Sequence, residues 1–340
     1  MGRAPPRCLN GANGRRPKKT DIRVLKIVFL DSATFSSETV VRRPTFPHQF
    51  VSFEKTAPAD VDQRIAGADI VITNKVKLNA ETIAKAARLR LIAVAATGHD
   101  IIDLDACRAR GIVVSNIRGY AIKTVPEHVF AMIFSLRRSL SAYQAAVRAG
   151  RWQEADQFCF FDYPIRDLAG STLGIVGGGA LGSEVARIAT AFGMQVLFAA
   201  RKGEPAAPDR VAFGEVLSRS DVITLHCPLT AATRGLIGDA EFAAMTRRPI
   251  LINTARGGLV DEAALVRALD RGLISAAGFD VATTEPPPLD NPLMSLTDRP
   301  NFMLTPHVAW ASAEAIQTLA DQLIDNIEAF VGGAPKNRVA

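Results

Sequence analysis

Long apolar runs are missing from this chain. No stretch approaches the roughly 20 residues that a membrane-spanning helix needs, so no membrane role is expected. Paired cysteines are missing too. Cys8, Cys107, Cys159 and Cys227 stand far apart without a Cys-x-x-Cys spacing. That is neither a zinc pattern nor a disulfide framework, so no metal is expected and a reducing cytoplasm suits the chain. Charge of one sign is scarce outside the first 20 residues. Arg3, Arg7, Arg15, Arg16, Lys18 and Lys19, with no acid among them, account for the whole net +6, and the rest of the chain balances. This Gly-, Pro- and Arg-rich stretch lacks the apolar core of a secretory signal and reads as a disordered extension. A neutral body gives no electrostatic footprint for nucleic acid, and no nucleic-acid partner is expected.

What remains is an ordinary globular composition, 48% apolar and 22% charged. The length suits two domains of roughly 150 residues each. The most informative stretch runs from Thr172 to Gly182. Leu173–Val176 reads as a buried strand, Gly177-x-Gly179-x-x-Gly182 follows, and residues 184–192 have helical spacing. Strand, glycine turn and helix in that order open a dinucleotide-binding βαβ unit. Gly177 makes the tight turn, Gly179 admits a pyrophosphate against the backbone, and Gly182 lets helix and strand pack closely. The first amides of that helix then face the phosphates.

Strand-like runs at 25–30, 68–74, 89–95 and 111–116 alternate with short helices before this stretch. Others at 195–199, 221–225, 249–253, 276–280 and 301–304 follow it. Alternation of this kind implies parallel sheets covered on both faces. One amphipathic helix is expected over 125–148, starting at Thr124 and Pro126. The segment 152–163 after it packs five aromatics and Cys159 into twelve residues. The C-terminal helix 313–331 is expected to pack back on the first sheet. The reading is therefore α/β, with two doubly wound parallel-sheet domains. A Rossmann cofactor domain (119–307) is inserted in a flavodoxin-like substrate domain (21–118 and 308–340), after the extension 1–20. The chain crosses near 116–120 and 307–311, and a cleft between hinged domains suits a small substrate.

Three side chains stand just beyond strand C-termini of the second sheet, the edge where such sheets place ligands. Arg256 lies in Asn-Thr-Ala-Arg-Gly-Gly, Glu285 precedes three prolines, and His307 follows Pro306. Together they fit one chemical need. Hydride delivery to a carbonyl requires a proton donor, and histidine ionises near neutrality. A carboxylate would hold its tautomer, and an arginine would hold a carboxylate substrate through paired hydrogen bonds.

Over residues 25–340 the chain resembles the D-isomer-specific 2-hydroxyacid dehydrogenases. The likeness is carried by Ala95–Asp103, Thr124–His128, Gly177–Gly182, His226–Thr230, Asn253–Gly258, Gly278–Asp280 with Glu285 and Pro286, and Thr305–Trp310. The opening Lys26–Thr34 and the ending Asn326–Phe330 look most like the glycerate dehydrogenase (hydroxypyruvate reductase) branch. The resemblance implies a catalytic set of Arg256, Glu285 and His307, with Thr97 and Gly98 helping Arg256 hold the substrate carboxylate. It also implies cofactor contacts at Thr124, Ala180, Leu181, Cys227, Pro228, Thr233, Thr254, Ala255, Asp280, His307 and Ala309, besides the three glycines, and a homodimer built on the helix after Tyr120. In the family an acid that selects NAD stands 18 residues past the third glycine. Here that position is Ala200, followed by Arg201 and Lys202. Two cations without a carboxylate favour a 2′-phosphate, so NADP(H) is the expected cofactor, with NAD(H) as the other option. The resemblance implies reduction of a small 2-keto acid, hydroxypyruvate or glyoxylate, to the D-2-hydroxy acid. The alternative is a dinucleotide-sensing, corepressor-like binding module.

Overall fold

The structure, a computed structural model, describes residues 24–340, so the expectation for the extension 1–20 lies outside the described residues. The first sheet contains β1 (Leu25–Phe29), β2 (His48–Ser52), β3 (Ile70–Thr73), β4 (Leu91–Val94) and β5 (Val113–Ser115). All pairings are parallel, in the order β2-β1-β3-β4-β5, a flavodoxin-like arrangement. β3 and β4 are buried at every position, which is why they read as continuous apolar runs rather than alternating ones. Successive residues still serve opposite faces. Val28, Val71 and Ile92 pack against α1 (Val61–Ile65), α2 (Ala80–Lys85) and α3 (Leu104–Ala109). Ile27, Phe29, Ile70 and Ile72 pack on the other face against Ile316, Leu319, Leu323 and Ile324 of the C-terminal helix Ala313–Val331. That helix does return to the first sheet. The last residues return as well: the Val339 amide donates to the Val114 carbonyl at 2.8 Å and the Val114 amide to the Ala340 carbonyl at 3.1 Å, which adds a short antiparallel contact beside β5.

Between these two parts of the first unit runs the chain of the second. Helix α4 (Thr124–Arg137) is followed by α5 (Leu140–Arg148) and the single turn α6 (Arg151–Glu154). The single helix expected over 125–148 is therefore two. Ser139 sits between them in the left-handed region at φ 53°, and its hydroxyl donates to the Pro164 carbonyl at 2.6 Å. The carbonyl of Arg137 accepts from the Arg166 amide at 3.0 Å. A strap at 163–167 thus takes over a backbone carbonyl that a continuous helix would use. The amphipathic pattern runs through the break and does not reveal it.

The second sheet comprises β6 (Thr172–Val176), β7 (Gln195–Phe198), β8 (Val222–Leu225), β9 (Ile250–Asn253), β10 (Ala276–Phe279) and β11 (Phe302–Leu304). It is parallel, in the order β11-β10-β9-β8-β6-β7. A single bridge, Ala199 to Val211, continues it beyond β7 where a further edge strand would lie. α4 and α7 (Ala180–Ala191) cover one face. The other is covered by α8 (Phe213–Arg219), α9 (Asp239–Ala244) and α10 (Glu262–Asp270). α11, the helix Ala313–Val331, is tied to the first crossing by Asn326, whose amide donates to the Asn116 carbonyl at 2.9 Å. The two crossings meet where Tyr120 and Trp310 pack edge to face, 6.3 Å between centroids.

Candidate active site

The glycine turn begins at the end of β6. Gly177 has φ 109°, and a β-carbon there would lie 2.5 Å from the carbonyl of His226 and 2.8 Å from the amide of Cys227. At Gly182 a β-carbon would strike the carbonyl of Gly177, so helix α7 can approach its strand only without a side chain. The first-turn amides of α7, at Ala180, Leu181 and Gly182, have no carbonyl one turn back to bind. Gly179 opens onto empty space. Nearby, the Thr254 hydroxyl is buried with no hydrogen-bond partner among the described residues. A bare amide cradle and an orphaned donor suit the phosphates and ribose of a dinucleotide, so the residues present fit that group.

A cleft of about 730 Å³ runs between the sheets from this turn. Thr97, Gly98, Leu181, Cys227, Pro228, Thr254, Ala255, Arg256, Asp280, Glu285, His307 and Ala309 all line it. His307 Nδ1 lies 2.6 Å from Glu285 Oε2, and Glu285 Oε1 accepts from the Ala282 amide at 3.1 Å. The carboxylate is thereby fixed at both oxygens. Burial pushes the Glu285 carboxyl up, but the hydrogen bond and charge of His307, the Ala282 amide and Lys75 together outweigh it, and the net shift is downward. An ionised Glu285 requires a proton on Nδ1 and leaves Nε2 to face the cleft.

His307 itself has φ 55°, a left-handed conformation that costs a non-glycine residue about 1–3 kcal/mol unless its surroundings impose it. Asp280 imposes it. This carboxylate, at the end of β10 and 1% exposed, accepts from the Thr305 hydroxyl and from the amides of Val308 (2.9 Å) and Ala309 (2.8 Å). His128 on α4 adds a 3.1 Å contact to the Thr305 hydroxyl. Asp280 therefore borders the cleft, yet its oxygens are committed to the turn that carries the histidine.

Arg256 is presented by a turn that the Asn253 side chain folds. Its amide donates to the Arg256 carbonyl at 3.0 Å, and its oxygen accepts from Ala255 at 3.1 Å. The guanidinium donates to the Ala255 carbonyl at 2.7 Å, stands 3.9 Å from Asp100, and remains 39% exposed to the cleft. Its Nη2 end approaches Gly98, where a β-carbon would collide with it. Among the described residues, the amides of Thr97 and Gly98 make no hydrogen bond, which leaves two donors beside the guanidinium. The hydroxyl of Thr97 is used elsewhere, on the Ile117 carbonyl at 2.7 Å.

Other expected cofactor contacts lie outside the cleft wall. The Thr124 hydroxyl meets the Ala309 carbonyl at 3.3 Å, and Thr233 closes the 228–233 loop through the Pro228 carbonyl at 2.7 Å. Lys202 pairs with Glu241 at 2.8 Å, and Arg201, 84% exposed, stands 3.7 Å from Glu204.

A family model for the NAD-binding domain of D-isomer-specific 2-hydroxyacid dehydrogenases matches residues 130–309, more than half of the chain. A glycerate dehydrogenase of Methylorubrum extorquens is 51% identical over 92% of this chain and 98% of its own length. The chain belongs to the D-isomer-specific 2-hydroxyacid dehydrogenases. A hydroxypyruvate reductase of Blautia hydrogenotrophica is 36% identical over 85% of this chain and 91% of its own. Among solved structures, the TT0316 protein of Thermus thermophilus superposes with a TM-score of 0.79 at 32% identity, covering 93% of this chain and all of that one. The curated relatives carry enzyme names, which does not favour the binding-module alternative.

In this family member the expectations from sequence omit Lys75, which opens into the cleft directly after β3. Desolvation between the cleft walls lowers its ammonium below the usual lysine value. Glu285 opposes that shift and Arg256 adds to it. Its loop is held by Asp31, a buried carboxylate that accepts from the amides of Asn74 (2.9 Å), Lys75 (2.6 Å) and Val76 (3.2 Å). Lys75 obeys the same strand-end rule that singles out Arg256, applied to the other sheet. Arg210 is a second omission. Its guanidinium rests on the Phe198 ring at 5.0 Å and beside Gly178.

Proposed function

We propose that this chain reduces hydroxypyruvate or glyoxylate to the D-2-hydroxy acid at the expense of NADPH, and catalyses the reverse oxidation. The observation that supports the reading is the pairing of His307 with Glu285 at 2.6 Å in the same cleft as the exposed Arg256 and the amides of Thr97 and Gly98. Gly177, Gly179, Gly182 and the first turn of α7 would hold the dinucleotide, which when bound would supply hydride chemistry at the substrate's second carbon. Arg256 and the two amides bind the substrate carboxylate through paired, charge-assisted hydrogen bonds. His307 Nε2 gives a proton to the carbonyl oxygen as negative charge develops there and takes it back in the oxidation. Glu285 keeps the other ring nitrogen protonated and the ring turned to the cleft.

Ala200 in place of an acid, with Arg201 and Lys202 beside it, supports NADP(H) over NAD(H). Exposed Leu140, Trp152, Phe158 and Phe161 on and after α5 support a homodimer through this face. The unpaired Cys107, Cys159 and Cys227 support a cytoplasmic setting. Following cofactor oxidation with 2-keto acids of increasing size is the direct test. Hydroxypyruvate and glyoxylate should give the highest kcat/KM, with NADPH preferred. Absence of turnover with every 2-keto acid would overturn the reading, and an NADH preference above about tenfold, or 1.4 kcal/mol, would overturn its cofactor part alone.

A further inference from the structure

Lys202, one of the two cations next to Ala200, is already engaged. Its ammonium lies 2.8 Å from Glu241 and 3.3 Å from the Leu236 carbonyl, so its charge is offset on the α9 side of the sheet. Arg201 points to solvent, 84% exposed, with Glu204 at 3.7 Å. A third cation comes from further along the chain. The Ala199–Val211 bridge brings the segment 207–211 back alongside the end of β7, and the Ala200 amide donates to the Val211 carbonyl at 2.8 Å. Arg210 therefore stands beside Ala200 in space although ten residues separate them in sequence.

Its side chain is placed from three directions. The guanidinium carbon sits 5.0 Å above the Phe198 ring. Asp209 approaches Nε at 3.3 Å. A β-carbon built at Gly178 would lie 2.6 Å from Nη2 and 2.8 Å from Cζ. The arginine thus fills the volume that a side chain at the second position of Gly177-Gly178-Gly179 would occupy. It reaches the glycine turn only because that position is glycine. In this fold the adenosine ribose lies between the glycine turn and the end of the second strand. A planar, permanently charged fork at that place matches a phosphate monoester bidentately, which a lysine ammonium does not.

We infer that Arg210, admitted by the absent side chain at Gly178, is the residue that reads the 2′-phosphate of NADP(H). The inference rests on the NADP(H) preference proposed above and adds the group responsible for it. Glu204 and Asp209 are the acids of the same chain segment. Asp209 is held at Nε, and Glu204 belongs to Arg201.

Calorimetric titration with 2′,5′-ADP and with 5′-AMP tests this without turnover, with thermal melting as the check on folding. The native chain should bind 2′,5′-ADP at least about tenfold more tightly than 5′-AMP. Arg210→Gln should erase that ratio. Gly178→Leu should erase it as well, because it expels the guanidinium while leaving the charge in the chain. If the ratio survives Arg210→Gln and falls in Lys202→Gln, the assignment to Arg210 is wrong and the NADP(H) reading stands. If the native chain shows no ratio at all, both fail.

Discussion

A carboxylate held at both oxygens and an imidazole held in a left-handed turn leave the proposed proton donor, His307, little freedom. His307→Gln should therefore lower kcat by about 10²–10⁴-fold, with a smaller change in KM, because general acid catalysis of this kind contributes that much. Pre-steady-state and steady-state oxidation of the reduced cofactor measure it, and an unchanged kcat would remove the role. Arg256 carries a different prediction through its neighbour. A methyl group added at Gly98 meets the guanidinium, so Gly98→Ala should raise KM for the keto acid by about tenfold while the dinucleotide binds as before. If KM stays put, the guanidinium does not hold the substrate where the structure places it.

These residues were legible in the sequence because strand ends can be read from apolar runs, and ligands gather at strand ends. Arg256, Glu285 and His307 each follow such a run. Lys75 follows one too, but on a sheet without a glycine turn. The role of Asp280 could not be read, because three of its partners, Thr305, Val308 and Ala309, become neighbours only once β10 and β11 lie side by side. Arg210 escaped for a similar reason, since it joins Ala200 through one bridge rather than through spacing.

At the scale of elements, the sheets and most helices follow from periodicity, whereas their interruptions follow from contacts. Nothing in the pattern of 124–148 marks Ser139; the strap from 163 to 167 does. Helix α11 shows a contact of the same kind. Glu328 accepts from Arg42 at 3.0 Å and from the Thr45 amide at 2.8 Å, tying the loop before β2 to the helix. The hydrogen bond from Arg42 pulls the Glu328 carboxyl from 4.5 down to about 2. A depressed carboxylate stabilises the fold fully above its unfolded value and loses that contribution as pH falls through the folded one. Glu328→Gln should therefore lower the melting temperature at pH 7 and flatten its decline between about pH 4.5 and 2. Melting curves of both proteins that stay parallel through that window would contradict the tie.

At the scale of the whole molecule, two α/β units meet across a cleft, and one face of the second carries an apolar surface. Phe158 is 87% exposed and Phe161 80%, with Trp152 beside them in sequence. Replacing both phenylalanines by serine should halve the mass seen by light scattering if a second copy covers this surface, and should leave it unchanged if nothing does.

The bonds of Asp280 also bear on how the halves move. By gripping Val308 and Ala309, this carboxylate welds the histidine turn to the coenzyme-binding half and pushes any pivot toward Trp310 and the start of α11. Under the proposed function, the acid at His307 would then travel as one piece with the dinucleotide-binding unit. Thr97 and Gly98, which the proposed function sets on the substrate carboxylate, and Lys75 line the cleft from the opposite unit. Under the proposed function, opening and shutting would alter whether the substrate is gripped and would leave the acid aligned with the dinucleotide-binding unit.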